Sequence, residues 1–138
     1  MKKLAIILSF VLVAGIALAN LFPANTLADI TKSVTEAIRK GSSTELSAFF
    51  NSSIDLTVLG KEGTFSKAQA EQIVKEFFQK NTPKSFNIKH QGNSSDGSNY
   101  VIGTLTTNNG NFRVYFLIKN IEGKLCIQQL QFEKDQNQ

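Results

Sequence analysis

The segment TFSKAQAEQIVKEFFQKNTP, residues 64–83, reads as an amphipathic helix with both ends marked. Ser66 stands at the N-cap position and Gln69 follows three residues on, the spacing of a capping box. Phe65 precedes the cap, where it can staple onto Ala70. Ala70, Ile73, Val74, Phe77 and Phe78 recur at spacings of three and four, which lines them along one face. Glu71, Gln72, Lys75, Glu76 and Lys80 take the other. Asn81 closes the helix, and Pro83 forbids continuation. A face carrying two phenylalanines needs a broad apolar surface to cover, and the sequence after Pro83 is patterned to supply it.

That sequence holds four strand candidates: residues 85–91, 100–107, 111–120 and 125–133. The turn signals between them are Asp96-Gly97, Asn109-Gly110 and Glu122-Gly123, each short enough for a hairpin, with Asn109-Gly110 the type I′ pair. Four strands so joined form an antiparallel meander. Gly103 interrupts the second, where a bulge or bend would curve the sheet.

Ahead of the central helix, Asp29 is expected to cap a first helix that buries Ile30, Val34, Ala37 and Ile38 and ends at Gly41. Ser42, with Glu45 three residues later, opens a second, shorter helix with Leu46, Phe49 and Phe50 as its stripe. Residues 54–59 form a strand, residues 60–63 a turn, and Thr64-Phe65 a short return strand.

Residues 1–28 read as an export signal. Lys2 and Lys3 precede an apolar run from Leu4 to Ala19, broken only by Ser9. Two cuts fit small-residue rules, one after Ala19 and one after Ala28; the second is favoured because it leaves a c-region containing Pro23. An uncut anchor is the rival reading, opposed by Asn20 and Pro23 at the end of the run. Residues 29–138 then form one domain with one core. Removing Lys2 and Lys3 leaves 13 basic against 11 acidic residues, a net charge of +2 with no basic cluster of the kind nucleic acid requires. Cys126 is the only cysteine, so stability rests on packing without an internal disulfide. No cysteine follows the apolar run to carry a lipid anchor. The short basic leader is bacterial in style, which makes the sequons at Asn51 and Asn93 incidental. The expected location is the periplasm, the cell envelope or the medium, with membrane contact only through the signal before cleavage.

An α+β chain of two N-terminal helices and one long helix on a curved antiparallel sheet, with a four-strand meander, resembles the nuclear-transport-factor-2-like (cystatin-like) cone fold, shared with scytalone dehydratase and ketosteroid isomerase. The runs at residues 61–73, 83–86, 90–92, 102–105, 112–116 and 127–130 are similar to those of a family of small exported bacterial proteins known only as a domain of unknown function. The resemblance spans the whole mature chain. It implies the cone and export, and brings no catalytic residues with it.

Cones of this kind can hold a small ligand between helix and sheet. By alternation His90 shares a face with Phe86 and Ile88 and so points toward the core or cavity. A hydrogen-bonded histidine at the sheet edge is the plainer expectation. One histidine and one cysteine on separate strands make no metal site, and no cofactor motif is present. The first three meander strands lack Asp and Glu entirely, which removes the usual equipment of isomerase-type proton transfer. Asp55 is the best remaining carboxylate. Tyr100 can line a cavity mouth or sit in ordinary core. Arg113 and Tyr115 share a strand face with Leu117 and Lys119, opposite Phe112, Val114, Phe116 and Ile118. Three helices cover one sheet face, so this second face stays open, with Val101 and Leu105 joining it if the register allows.

Two functional readings follow. The first is an exported, non-enzymatic binding or interaction module, with a small apolar ligand in the cone or a partner, such as a second copy, on the open sheet face. Its ligand-binding candidates are His90, Tyr100, Arg113 and Tyr115. The alternative is a small cone-fold isomerase or hydrolase acting on a hydrophobic substrate through His90 and Asp55. The missing carboxylates favour the first.

Overall fold

The computed structural model describes residues 26–136. Within these residues three helices and six strands follow in the order α1 (Leu27–Lys40), α2 (Ser43–Ser47), β1 (Phe50–Val58), β2 (Lys61–Ser66), α3 (Lys67–Lys80), β3 (Pro83–Asn93), β4 (Asn99–Thr107), β5 (Gly110–Ile121) and β6 (Lys124–Lys134). The strands form one sheet in the order β2-β1-β6-β5-β4-β3. The meander runs from β3 to β6 as expected, but the sheet is mixed: β1 lies parallel to β6, with Leu56 opposite Leu130.

α3 starts as its sequence dictates. The Ser66 hydroxyl accepts from the Gln69 N–H, and the Gln69 side chain accepts in return from the Ser66 N–H. At the other end the Asn81 side chain donates to the Phe77 carbonyl at 2.9 Å, closing a helix of 14 residues, the same length as α1. Its buried face is Ala70, Val74, Phe77 and Phe78, with Ile73 at the margin. Phe77 stands at the centre of an aromatic cluster, its ring centroid 4.5 Å from Phe132, 5.0 Å from Phe112 and 5.8 Å from Phe78.

α1 begins earlier than expected. Thr26 is its N-cap, and Asp29 sits three residues inside, where its carboxylate accepts from the Thr26 N–H at 3.1 Å. These hydrogen bonds hold the Asp29 carboxyl below its ordinary value. The helix ends in a Schellman turn: Gly41 adopts φ 69°, and the Ser42 N–H reaches the Ala37 carbonyl. α2 is one short turn. Phe49 lies beyond it and Phe50 already belongs to β1, so the expected helical stripe is divided between helix and strand.

The hairpins correct the turn assignments. Asn109 does not take the left-handed conformation. The two-residue loop is Asn108-Asn109, followed by Gly110 at φ 100°. Both asparagine side chains are recruited by the end of α3, since Asn108 accepts from the Thr82 N–H and Asn109 donates to the Lys80 carbonyl. The type I′ pairs are Glu122-Gly123 (φ 53° and 82°) and Leu59-Gly60 (φ 52° and 82°), the latter replacing the expected turn over residues 60–63. Leu59 is 46 % exposed while held in a backbone region that leucine disfavours. Replacing it by asparagine is expected to stabilise the protein by about 1 kcal/mol. Urea unfolding checks this, and a lower midpoint would contradict it.

Gly103 does not bulge its own strand. The irregularity lies in the facing strand, where Ile88 pairs with Gly103 and His90 with Ile102, leaving Lys89 as the extra residue. Gly103 instead makes room for Phe86, which is fully buried: a Cβ at position 103 would lie 2.6 Å from two atoms of that ring.

Candidate functional site

The register places the polar candidates on the helix-free face of the sheet. One row across it runs Asp55, Gln129, Leu117, Tyr100, Gly92, and the next runs Thr57, Gln131, Tyr115, Ile102, His90. His90 is therefore not directed toward the core. The extra residue at Lys89 turns it outward, and it is exposed. Val101 and Leu105 do not join the open face either. They pair with Phe116 and Phe112 and are buried under the helices, while Ile102 takes the outward place.

Asp55 and His90 both face outward, yet four strand spacings separate their strands, about 19 Å at the spacing of a sheet. The Asp55 carboxylate accepts from the Thr64 hydroxyl at 2.7 Å. The two residues form no acid–base pair. Among the described residues no group of three or more His, Cys, Asp or Glu side chains gathers in a way that could hold a metal ion.

Tyr100, Tyr115 and Arg113 do come together. Burial raises the Tyr115 phenol above its ordinary 10.0, with Asp96 and Tyr100 adding to the rise and Arg113 opposing it. Leu117 and Cys126 are buried on the same outer face, outside the main core cluster. Burial also pushes the Cys126 thiol up, against the pull of Lys124.

Asp96 closes this corner. It accepts from the Ser98 N–H at 3.0 Å and from the Ser98 hydroxyl, and Lys119 approaches within 3.2 Å. The Ser98 bonds, then Lys119, lower its carboxyl from 3.8 to about 2. A folded-state value below the unfolded one means Asp96 supports the fold above pH 3.8, and that support is lost as pH falls toward 2. A carboxyl-carbon titration followed by NMR is expected to show Asp96 with a midpoint near 2. A midpoint at its ordinary value would remove this assignment.

On the helix side the space is filled by Phe77, Phe78, Phe86, Phe112, Phe116 and Phe132. A groove of about 550 Å³ remains at one end, between α1 and the paired ends of β3 and β4. Leu27, Ala28, Ile88, Tyr100 and Val101 give it apolar surface; Lys32, Glu36, Arg39, Gln91, Asn93 and Asn99 give it polar groups. Arg39 is already engaged, donating to the Phe86 carbonyl at 3.0 Å and pairing with Glu36. Of the candidates named from sequence only Tyr100 borders this groove. The α1 contribution was missed, although Thr31 and Thr35, four residues apart beside the apolar face, mark a polar margin facing the sheet.

The architecture is that of the nuclear-transport-factor-2-like and cystatin-like folds: one solved structure of the former superposes at a TM-score of 0.60 with 16% identity, over 76% of this chain and 94% of its own. A cystatin-like domain of unknown function from Nostoc punctiforme does so at 0.61 with 11% identity, over 80% of each chain. Within that class the chain belongs to the family Domain of unknown function (DUF4783), whose profile matches residues 31–133. A family member from Bacteroides ovatus is 38% identical, with a TM-score of 0.71 over 76% of this chain and 94% of its own. One from Bacteroides uniformis is 34% identical, with a TM-score of 0.73 over 78% and 99%. No functionally curated protein matches the sequence.

Proposed function

We propose that the protein is an exported, non-enzymatic binding module that holds a small, largely apolar ligand in the groove between α1 and the β3–β4 edge. The observation that carries this reading is the groove itself: about 550 Å³ left open beside a packed interior, with apolar surface from five residues and polar side chains around it. Lys32 on its α1 wall supplies a cation for a polar end of the ligand. The enzymatic alternative lacks support in the geometry, because Asp55 and His90 stand strands apart. Export rests on the leader pattern, which falls largely outside the described residues. Among those described, no helix is long and apolar enough to cross a membrane.

A second reading has its own observation. Ile102 and Tyr115 are paired and half-buried on a sheet face that no helix covers, a small apolar surface on which a second copy can pack. Native mass spectrometry of the protein purified from an exporting host separates the two. Extra small-molecule mass, lost in Thr31→Trp because the indole intrudes into the groove, supports the ligand reading. Adduct that survives Thr31→Trp moves the site elsewhere. A dimer without adduct, split by Tyr115→Glu, supports the sheet face and removes the groove.

A further inference from the structure

The start of α1 bears on where the leader is cut. Thr26 is the N-cap, the Ile30 N–H makes the first helical bond to the Thr26 carbonyl at 3.0 Å, and Thr26 and Asp29 exchange reciprocal cap bonds. Leu27 and Ala28, the first two helical residues, also form part of the groove wall. A cut after Ala28 would remove all of this. Thr26 cannot serve both as the −3 residue of a discarded leader and as the cap of the mature helix. Such a cut would also place a new α-amino group on Asp29, a cation among unpaired helical N–H groups where the helix dipole disfavours it.

We infer that the leader is removed after Ala19, at the sequence Ala17-Leu18-Ala19, so that the mature chain begins at Asn20 and keeps the cap and the groove wall intact. Ala17 and Ala19 lie outside the described residues, and their fitness as a site is read from sequence. The inference rests on the export reading of residues 1–28. Cleavage is hydrolysis of the Ala19–Asn20 peptide bond, with water adding across it to leave a carboxylate on Ala19 and an amine on Asn20.

The test is the intact mass of the full-length chain after expression in an exporting bacterium. The expected product spans residues 20–138, and Ala28→Arg, which blocks a cut after position 28 and suits a helix, leaves its start unchanged. A product beginning at Asp29, or loss of processing in Ala28→Arg, overturns the inference while export stands. An uncut chain retained in the cytoplasm or membrane overturns export, and the inference with it. A second measurement concerns the reason for retention: chains starting at Asn20 and at Asp29 are compared by thermal melting. The longer chain is expected to melt about 4 °C or more higher; equal melting would show that the cap does not matter.

Discussion

Phe77→Ala is expected to lower the unfolding free energy by about 3–5 kcal/mol, a large part of the roughly 5–15 kcal/mol that holds a domain of this size folded. Phe77 is 3 % exposed and its ring touches three others, from α3, β5 and β6. Truncation leaves a void between helix and sheet that the flanking rings, fixed by their own strands, cannot fill. Two edge-to-face or tilted contacts add to the loss beyond the buried area. Urea unfolding followed by circular dichroism measures it. A cost under about 1 kcal/mol would mean that the cluster collapses freely around the gap, and the central role given to this ring would be wrong.

Gly103→Ala is expected to cost about 3 kcal/mol, the upper end for adding one methyl group to a packed core. The added Cβ would meet Phe86 ring atoms at 2.6 Å and the Asn87 carbonyl oxygen at 2.7 Å. The ring is fully buried with nowhere to retreat, and the carbonyl is sheet backbone. Phe86→Leu on the Gly103→Ala background relieves the ring contact and is expected to recover part of the loss, a coupling read from a double-mutant cycle. Additive losses would place the strain in the backbone contact alone.

These two sites differ in how far they could be read from sequence. The α3 face is legible because its evidence is local: a cap, a spacing of three and four, and a proline stop within twenty residues. The meander is legible for the same reason, through turn residues between alternating runs. What escaped is fixed by distant partners. The outward turn of His90 depends on an extra residue at Lys89, and neither lysine nor its neighbours mark a bulge in the sequence. Asn109-Gly110 looks like the strongest turn of its type, yet its side chain is taken by the end of α3, and the turn adopts another form. The parallel pairing of β1 with β6 joins residues about seventy-five positions apart, beyond any window that periodicity can use. For the candidate site, residue types were readable and their side of the sheet was not. Alternation fails after one bulge, and His90 then parts from Phe86 and Ile88.

That parallel pairing also sets a timetable. β6, the last of the described strands in chain order, lies between β1 and β5, and the Ile127 N–H bonds the Phe49 carbonyl at 2.7 Å. While the chain is still emerging from the ribosome, the first hairpin and the three earlier strands of the meander have no sheet partner in common. No sheet hydrogen bonds join them until β6 is in place. Synthesis from the N-terminus therefore leaves the sheet unjoined until β6 is made. For a polypeptide exported as proposed above, such late joining of the sheet keeps it threadable. For one that is nicked or terminated early, it leaves two unjoined halves with bare edges.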